Sequence, residues 1–449
     1  MNAHAPSEGT PHRAVLALAL PAFFTLIAEP LFRLADSAIV GHLGTTPLAG
    51  LGIAGTILST AAGVFVFLAY GTTALVSRTF GAKDTRAAIG AGLDGIWLAL
   101  ALGLLTSLVV GLTADPLCRL FDPSPAVLHE ATTYLRISAL GLPGMLLVLA
   151  AAGILRGLQD TRTPLITTTL GFITNALLNL WFVYGLDLGI AGSAWGTAIA
   201  ENGMAVGMLA VVAHHARRHH APLRPHPRGI LRAAADGLPL LVRTLSLRGV
   251  LLLTTWAAVA LGDTPLAAHQ VTTSIWAFLM FALDSLAIAG QALTGRSLGA
   301  GDRTATRTTT TLISRWGILV GLGLGMLLLA THRLLPALFT SDPAVHSAIG
   351  AALIVIALGQ PIAGLAFVLD GILIGAGDST WLARTQTLLL VGYTPLAIGI
   401  HHWADPLSAL GPATATAVLW VAFLIFMSVR ALALHRRAAR EDWMVVGVR

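Results

Sequence analysis

Apolar residues recur along this chain in twelve long runs, roughly 14–41, 48–76, 88–113, 127–155, 164–185, 190–214, 232–260, 266–294, 308–331, 345–375, 382–401 and 408–434. Each is long enough to cross about 30 Å of hydrocarbon at about 1.5 Å per residue, some with tilt. A soluble domain has no use for so many. The composition agrees, with 55% of the 449 residues hydrophobic and 11% charged, against roughly a quarter charged in an average soluble domain. Mean hydropathy is +0.79 over the whole length. Inside lipid every backbone polar group must be satisfied within the protein, and runs of this length do so as helices. The expected fold is therefore an all-α integral membrane protein of twelve transmembrane helices. The first run far exceeds the roughly 7–15-residue core of a signal peptide, so it reads as a retained helix.

Net charge is +6, which in a soluble protein would raise the question of nucleic acid. Here the basic residues sort by loop. Arg78, Lys83 and Arg86 follow the second run, Arg156 and Arg162 the fourth, and Arg217, Arg218, Arg224 and Arg228 the sixth. Arg296, Arg303 and Arg307 follow the eighth, Arg384 the tenth, and Arg436, Arg437 and Arg440 the last. The opposite loops carry Asp115, Asp122, Asp187, Asp263, Asp342 and Asp405, with Arg119 and Arg333 as basic exceptions. The positive-inside bias then places both termini in the cytoplasm of a plasma (inner) membrane, and leaves no basic domain to grip nucleic acid. The lone cysteine, Cys118, forms no disulfide within the chain and has no partner thiolate for a metal. The run from His214 to His220 has no carboxylate or thiol beside its imidazoles, so it reads as a solvated linker; no metal or cofactor is expected.

That linker, 215–231, separates a cytoplasmic N-terminus (1–13) and a six-helix lobe (14–214) from a second lobe (232–434) and a cytoplasmic C-terminus (435–449). The two lobes repeat at one offset, 218. It carries Pro21 onto Pro239, Gly44, Thr46, Pro47, Leu48 and Ala49 onto Gly262, Thr264, Pro265, Leu266 and Ala267, and Gly153-Ile154-Leu155 onto Gly371-Ile372-Leu373. Six spans is an even number, so both lobes enter the membrane with the same orientation. The repeat is parallel, about an axis along the membrane normal. Two such lobes with a central cavity suit alternating access.

Several segments on this repeat resemble the multidrug and toxic compound extrusion (MATE) family and, within it, the DinF-like branch. They are Leu34-Ala35-Asp36-Ser37-Ala38-Ile39-Val40-Gly41, Gly153-Ile154-Leu155-Arg156-Gly157 with Asp160, Ala268-His269-Gln270, Ala289-Gly290-Gln291-Ala292 and Leu369-Asp370-Gly371. The resemblance implies a secondary antiporter that exports small organic compounds while protons or sodium run inward. It further implies an ion site that joins Asp36 to Asn175, Asn179 and Thr197, and a cavity faced by Tyr134 and Arg136. Tyr134 reads equally well as an interfacial aromatic anchor. Relatives often carry a second aspartate where this chain has Asn179, and an uncharged polar residue at Arg33.

A charge at the bilayer centre costs on the order of 2.5–3.5 kcal/mol, so each one asks for a partner or a task. The ionisable residues singled out within the runs are Glu29, Arg33, Asp36, Arg136, Glu201, Arg243, Arg248, Asp284 and Asp370. Glu29, Arg33 and Asp36 fall on one helical stripe, beside Pro30, which removes a backbone donor and invites a bend. Two readings stand for that stripe: Arg33 neutralises both acids in a static cluster, or one excess negative charge is met by a proton or cation. Burial disfavours a charged carboxylate, which suits a group that loads and unloads a proton, and Asp36 is the first candidate. An amide at 179 and an arginine at 33 disfavour sodium, so the proton is the expected coupling ion.

In the second half Asp284 with Arg248, and Asp370 with Arg243, are candidate pairs, while Glu201 reads equally as packing partner or site residue. Acids with Trp181, Trp195, Trp256 and Trp276 suit a cationic amphiphile, whereas the arginines suit an organic acid. A lipid-linked oligosaccharide flippase of the same architecture is a further alternative. No metalloprotease, hydrolase or phosphate-loop motif supports an enzyme. The expected partners are a small-molecule substrate and membrane lipid, and the chain is expected to act as a monomer.

Overall fold

The computed structural model describes residues 11–447, and it is all helical there. In the first half the helices are α1 (Pro11–Gly41), α2 (Thr45–Phe65), α3 (Phe67–Gly81), α4 (Thr85–Leu112) and the short α5 (Ala114–Arg119). They continue as α6 (Pro125–Ser138), α7 (Leu142–Gly157), α8 (Arg162–Leu180) and α9 (Gly189–Arg218). The second half has α10 (Pro227–Ala260), α11 (Asp263–Gly299), α12 (Arg303–Thr331) and α13 (Pro343–Gly375). It ends with α14 (Ser379–His402), the short α15 (Ala404–Ala409) and α16 (Pro412–Arg440). Residues 1–10 of the expected cytoplasmic N-terminus, and the last two of the C-terminus, lie outside the described residues.

All twelve apolar runs are helical. Eleven of the resulting spans are long and apolar enough to cross a membrane. The twelfth, α14, has 24 residues, enough for about 36 Å, but Arg384, Gln386, Thr387 and Thr394 dilute its apolar character. Three spans are not uniform helices. The second is broken at Val66 between α2 and α3, the fourth passes through a tight turn at Ala139–Gly141 between α6 and α7, and α8 runs into a π turn at Trp181–Gly185. The helix-free stretch between α9 and α10 is 219–226, because His214–Arg218 extend α9.

Contacts gather the described residues into two units, one of residues 20–238 with Gly447, the other of residues 11–19 with 239–446. The chain passes from one to the other just before Pro21 within α1 and just before Pro239 within α10. Within each unit the 218 offset is structural. The spans Thr45–Gly81 and Asp263–Gly299 are both 37 residues long, and Pro125–Gly157 and Pro343–Gly375 are both 33. Asp84 and Asp302 each cap the following helix by accepting a hydrogen bond at 2.8 Å, from the amides of Ala87 and Ala305, at a helix end that otherwise leaves donors unmet.

The repeated packing rests on close helix approach at small residues, as membrane interiors favour. In the first unit a side chain at Gly153 of α7 would meet the Ala69 carbonyl of α3; in the second, one at Gly371 of α13 would meet the Ala287 carbonyl of α11. Each unit thus holds one buried central helix, α7 or α13, at which its neighbours converge.

Candidate functional site

In the first unit, four helices meet around one carboxylate. Asp36 on α1 is 6% exposed. Tyr134 on α6 donates its hydroxyl to Asp36 Oδ2 at 2.9 Å. Ser193 on α9 and Asn179 on α8 donate to Asp36 Oδ1 at 2.5 and 2.9 Å. The network continues outward, since Asn179 Nδ2 also donates to Asn175 Oδ1 at 3.0 Å and Asn175 Nδ2 to Thr197 Oγ1 at 3.1 Å. Tyr134, Asn175, Asn179, Ser193 and Thr197 are all buried.

The local sequence makes this assembly. Asn175 and Asn179 are one turn apart on α8, and Ser193 and Thr197 one turn apart on α9, so each pair shares a helix face. Gly192 lets α9 pass against the Phe182 backbone, and Gly196 leaves the space filled by the Asn179 amide. Every donor to Asp36 is neutral, and no arginine, lysine or histidine pairs with Asp36 among the described residues. Asn179 Oδ1 is buried without a hydrogen-bond partner.

The expected three-residue cluster on α1 is corrected. Arg33 NH2 pairs with Glu29 Oε1 at 2.7 Å, and both side chains are about half exposed, 49% and 55%, while Asp36 lies buried among other partners. A shared stripe fixes direction but not height. Glu29 and Asp36 are about 10 Å apart along the helix axis at 1.5 Å per residue, and different neighbours stand at the two levels. Arg33 therefore does not neutralise Asp36. Glu201, half-buried on α9, lies over Gly141 and within the electrostatic reach of Glu29 and Arg33. Arg136 is exposed on α6, and its charge acts on Asp115 and Cys118. Neither joins the contacts around Asp36.

The second unit holds a different polar centre. Arg243 of α10 donates from Nε to Asp370 Oδ1 on α13 at 3.1 Å and from NH2 to Oδ2. Arg430 of α16 approaches Asp370 Oδ2 at 3.4 Å and lies over the Phe367 ring at 5.3 Å. All three charged groups are buried. The 218 offset instead places Thr254 where the first half has Asp36, and Tyr393 where it has Asn175. These two are also buried and in contact, Thr254 Oγ1 to Tyr393 hydroxyl at 2.8 Å. The same offset places Ala352, Ala397 and Gly411 where the first half has Tyr134, Asn179 and Ser193, so neither the carboxylate nor its donors recur in the second unit.

Arg248 is exposed and makes no ion pair among the described residues, and Asp284 is half-buried on α11. Of the four tryptophans, Trp276 alone is buried, against Trp420 and Phe423; Trp181, Trp195 and Trp256 are exposed. Sequence reasoning missed Ser193 and Arg430. Arg430 is a charge inside an apolar run, which the cost of such a charge should have flagged. Ser193 precedes Thr197 by one turn on the same face.

Comparison with known proteins follows the same repeat. The MatE family matches residues 21–181 and again 239–398, beginning at the two prolines of the 218 offset. The Arabidopsis thaliana protein named DETOXIFICATION 44, chloroplastic, is 30% identical over 450 residues, covering 95% of this chain and 82% of that one. The DNA damage-inducible protein F of Escherichia coli K12 is 29% identical over 434 residues, covering 94% and 91%. A crystal structure of a mutant of the Vibrio cholerae MATE transporter VcmN aligns with a TM-score of 0.85 over 97% of this chain and 98% of that one, at 22% identity.

Proposed function

Because the chain belongs to the MatE family, whose members are multi-pass membrane transporters of small molecules and not enzymes, we propose that it is a proton-coupled antiporter. It exports small amphiphilic organic compounds, cationic or zwitterionic, in exchange for inward protons. The two halves alternate access, and both termini lie in the cytoplasm of the plasma membrane, where the chain works as a monomer.

The observation that carries this reading is a buried carboxylate held only by neutral donors, Tyr134, Ser193 and Asn179. A carboxylate with no countercharge in a membrane span is costly, and a proton or a bound cation relieves that cost. The donors favour the proton. Asn179 Nδ2 sits between Asp36 Oδ1 and Asn175 Oδ1, at 2.9 and 3.0 Å, and so fills with N–H groups the space in which a cation would need oxygens. This argument replaces the one from Arg33, which pairs with Glu29.

A hydroxyl can either donate or accept, whereas an amide nitrogen only donates. When Asp36 takes a proton, its new O–H must therefore turn to the Tyr134 or Ser193 hydroxyl, or to Asn179 Oδ1 after an amide flip. Each choice rearranges a bond between α1 and α6, α8 or α9. Protonation is in this way linked to helix packing, the kind of two-state element that coupling requires.

One observation favours a second reading, export of an organic acid: the buried guanidiniums of Arg243 and Arg430 converge on Asp370, and arginine suits planar carboxylates. Proteoliposomes with independent pH and sodium gradients separate these readings. Export of a cationic dye on a pH gradient alone supports proton coupling. A requirement for sodium defeats it, and export of an organic acid but not the dye defeats its substrate half.

A further inference from the structure

Glu201 of the first unit has a fixed place and no partner. Its backbone is wedged against the turn between α6 and α7, since a side chain at Gly144 would strike the Glu201 carbonyl carbon and one at Gly141 would strike Glu201 Oε2. Asn202 holds the same level by donating to the Leu140 carbonyl at 3.0 Å. The 218 offset places the fully buried Leu419 at this position in the second unit, so packing there asks only for an apolar side chain. Glu201 nevertheless makes no hydrogen bond or ion pair among the described residues, at the cost that any acid in a span carries. The charges that act on it are Glu29 and Arg33 of α1, both half-exposed, and none comes from α4, α6, α7 or α8.

Hydroxyl groups lead from Glu201 back to Asp36. Ser193, Thr197 and Glu201 follow one another at single turns along one face of α9. Thr197 and Ser138 both stand beside the Tyr134 hydroxyl, which donates to Asp36 Oδ2 at 2.9 Å. Ser138 precedes Gly141, the residue beneath Glu201 Oε2, by three positions, so the two share one side of the turn. Ser138 Oγ is buried without a hydrogen-bond partner, and ordered water is held at groups of that kind. An amide nitrogen only donates, so the Asn175 and Asn179 arm of the network passes no proton along; a hydroxyl accepts and donates at once.

We propose that Glu201 is the relay through which protons reach and leave Asp36, an assignment that rests on the proton-coupled reading above. A proton arriving from the half-exposed side, near Glu29 and Arg33, binds the Glu201 carboxylate. Glu201 passes a proton to a water held at Ser138 Oγ, and that water passes one to the Ser138 or Thr197 hydroxyl. This hydroxyl gives its own proton to Tyr134 as the Tyr134 proton moves to Asp36 Oδ2. One proton enters and one arrives, only O–H bonds are exchanged, and no alkoxide or tyrosinate is left behind. Release from Asp36 runs the same steps in reverse.

The test mixes the purified whole chain with a saturating cationic dye in weakly buffered detergent, and follows dye fluorescence and a pH indicator together by stopped flow. In the parent, proton release should keep pace with dye binding. In Glu201→Gln the release should lag, its rate falling about tenfold or more, while the amount released and the affinity for dye stay as in the parent. Azide, a small weak acid, should restore the rate in that variant. Glu201→Leu, which copies residue 419, should keep the thermal midpoint of the parent and show the same lag. An unchanged rate in Glu201→Gln, weakened dye binding, or a lag that azide leaves untouched overturns the relay and leaves coupling at Asp36 standing. Dye binding to the parent without proton release overturns both.

Discussion

Tyr134 and Asp36 lie 98 residues apart and are joined by a buried 2.9 Å hydrogen bond that ties α6 to α1. It is the one bond among those described to Asp36 Oδ2, the other two donors sharing Oδ1. Tyr134→Phe deletes it and keeps the ring. A hydrogen bond to a charged group contributes about 1.5–3 kcal/mol, so pH-driven uptake in proteoliposomes should fall by about tenfold or more while the folded yield is kept.

Asn179→Asp tests the ion assignment from the other side. It replaces the amide donor at Asp36 Oδ1 by a second carboxylate and so supplies oxygens where the present site supplies N–H. Sodium should then stimulate transport by the variant and leave the parent unaffected, in the same vesicles at fixed pH.

Asp370 should behave as a structural counterion. Asp370→Asn leaves the buried Arg243 and Arg430 without their shared charge, and breaking a buried pair in this way costs about 3–5 kcal/mol. Thermal unfolding in detergent should show a large loss of stability. An unchanged midpoint would mean that the arginines are already balanced by other groups.

The Thr254–Tyr393 pair should be dispensable for coupling. Thr254→Val with Tyr393→Phe removes both members of one hydrogen bond, a change that is nearly neutral when shape is kept. The double variant should unfold within about 1 kcal/mol of the parent and retain its dependence on a pH gradient.

Close helix approach can be tested at two glycines. A Cβ at Gly371 would strike the Ala287 carbonyl, whereas one at Gly323 meets nothing within 4 Å. Gly371→Ala should destabilise by about 1–3 kcal/mol, and Gly323→Ala should be neutral or stabilising by up to about 1 kcal/mol, as read from thermal unfolding.

The spans were legible because lipid leaves a helix no alternative to length and apolarity, and the repeat because its offset runs without a gap from Pro21 to Gly157. The break at Val66 was not legible, since it interrupts an ordinary apolar run. The turn at Ala139–Gly141 was not either: the same Ala-Leu-Gly stands at 357–359 within the continuous α13, so packing rather than local sequence decides between them. At the site, Asp36, Asn175, Asn179 and Thr197 were readable through family resemblance, and the structure brings them together with Tyr134. The stripe through Glu29, Arg33 and Asp36 misled because periodicity reports which way a residue points and is silent on what stands at its height. Ser193 carries no charge to betray it.

The central claim is that Asp36 exchanges a proton for the transported compound. Proton release on adding a cationic dye to weakly buffered, purified protein tests this most directly, with the parent and Asp36→Asn measured side by side and dye binding followed in parallel. The account predicts release from the parent and none from Asp36→Asn. Dye binding to the parent without proton release, or equal release from the variant, would contradict it.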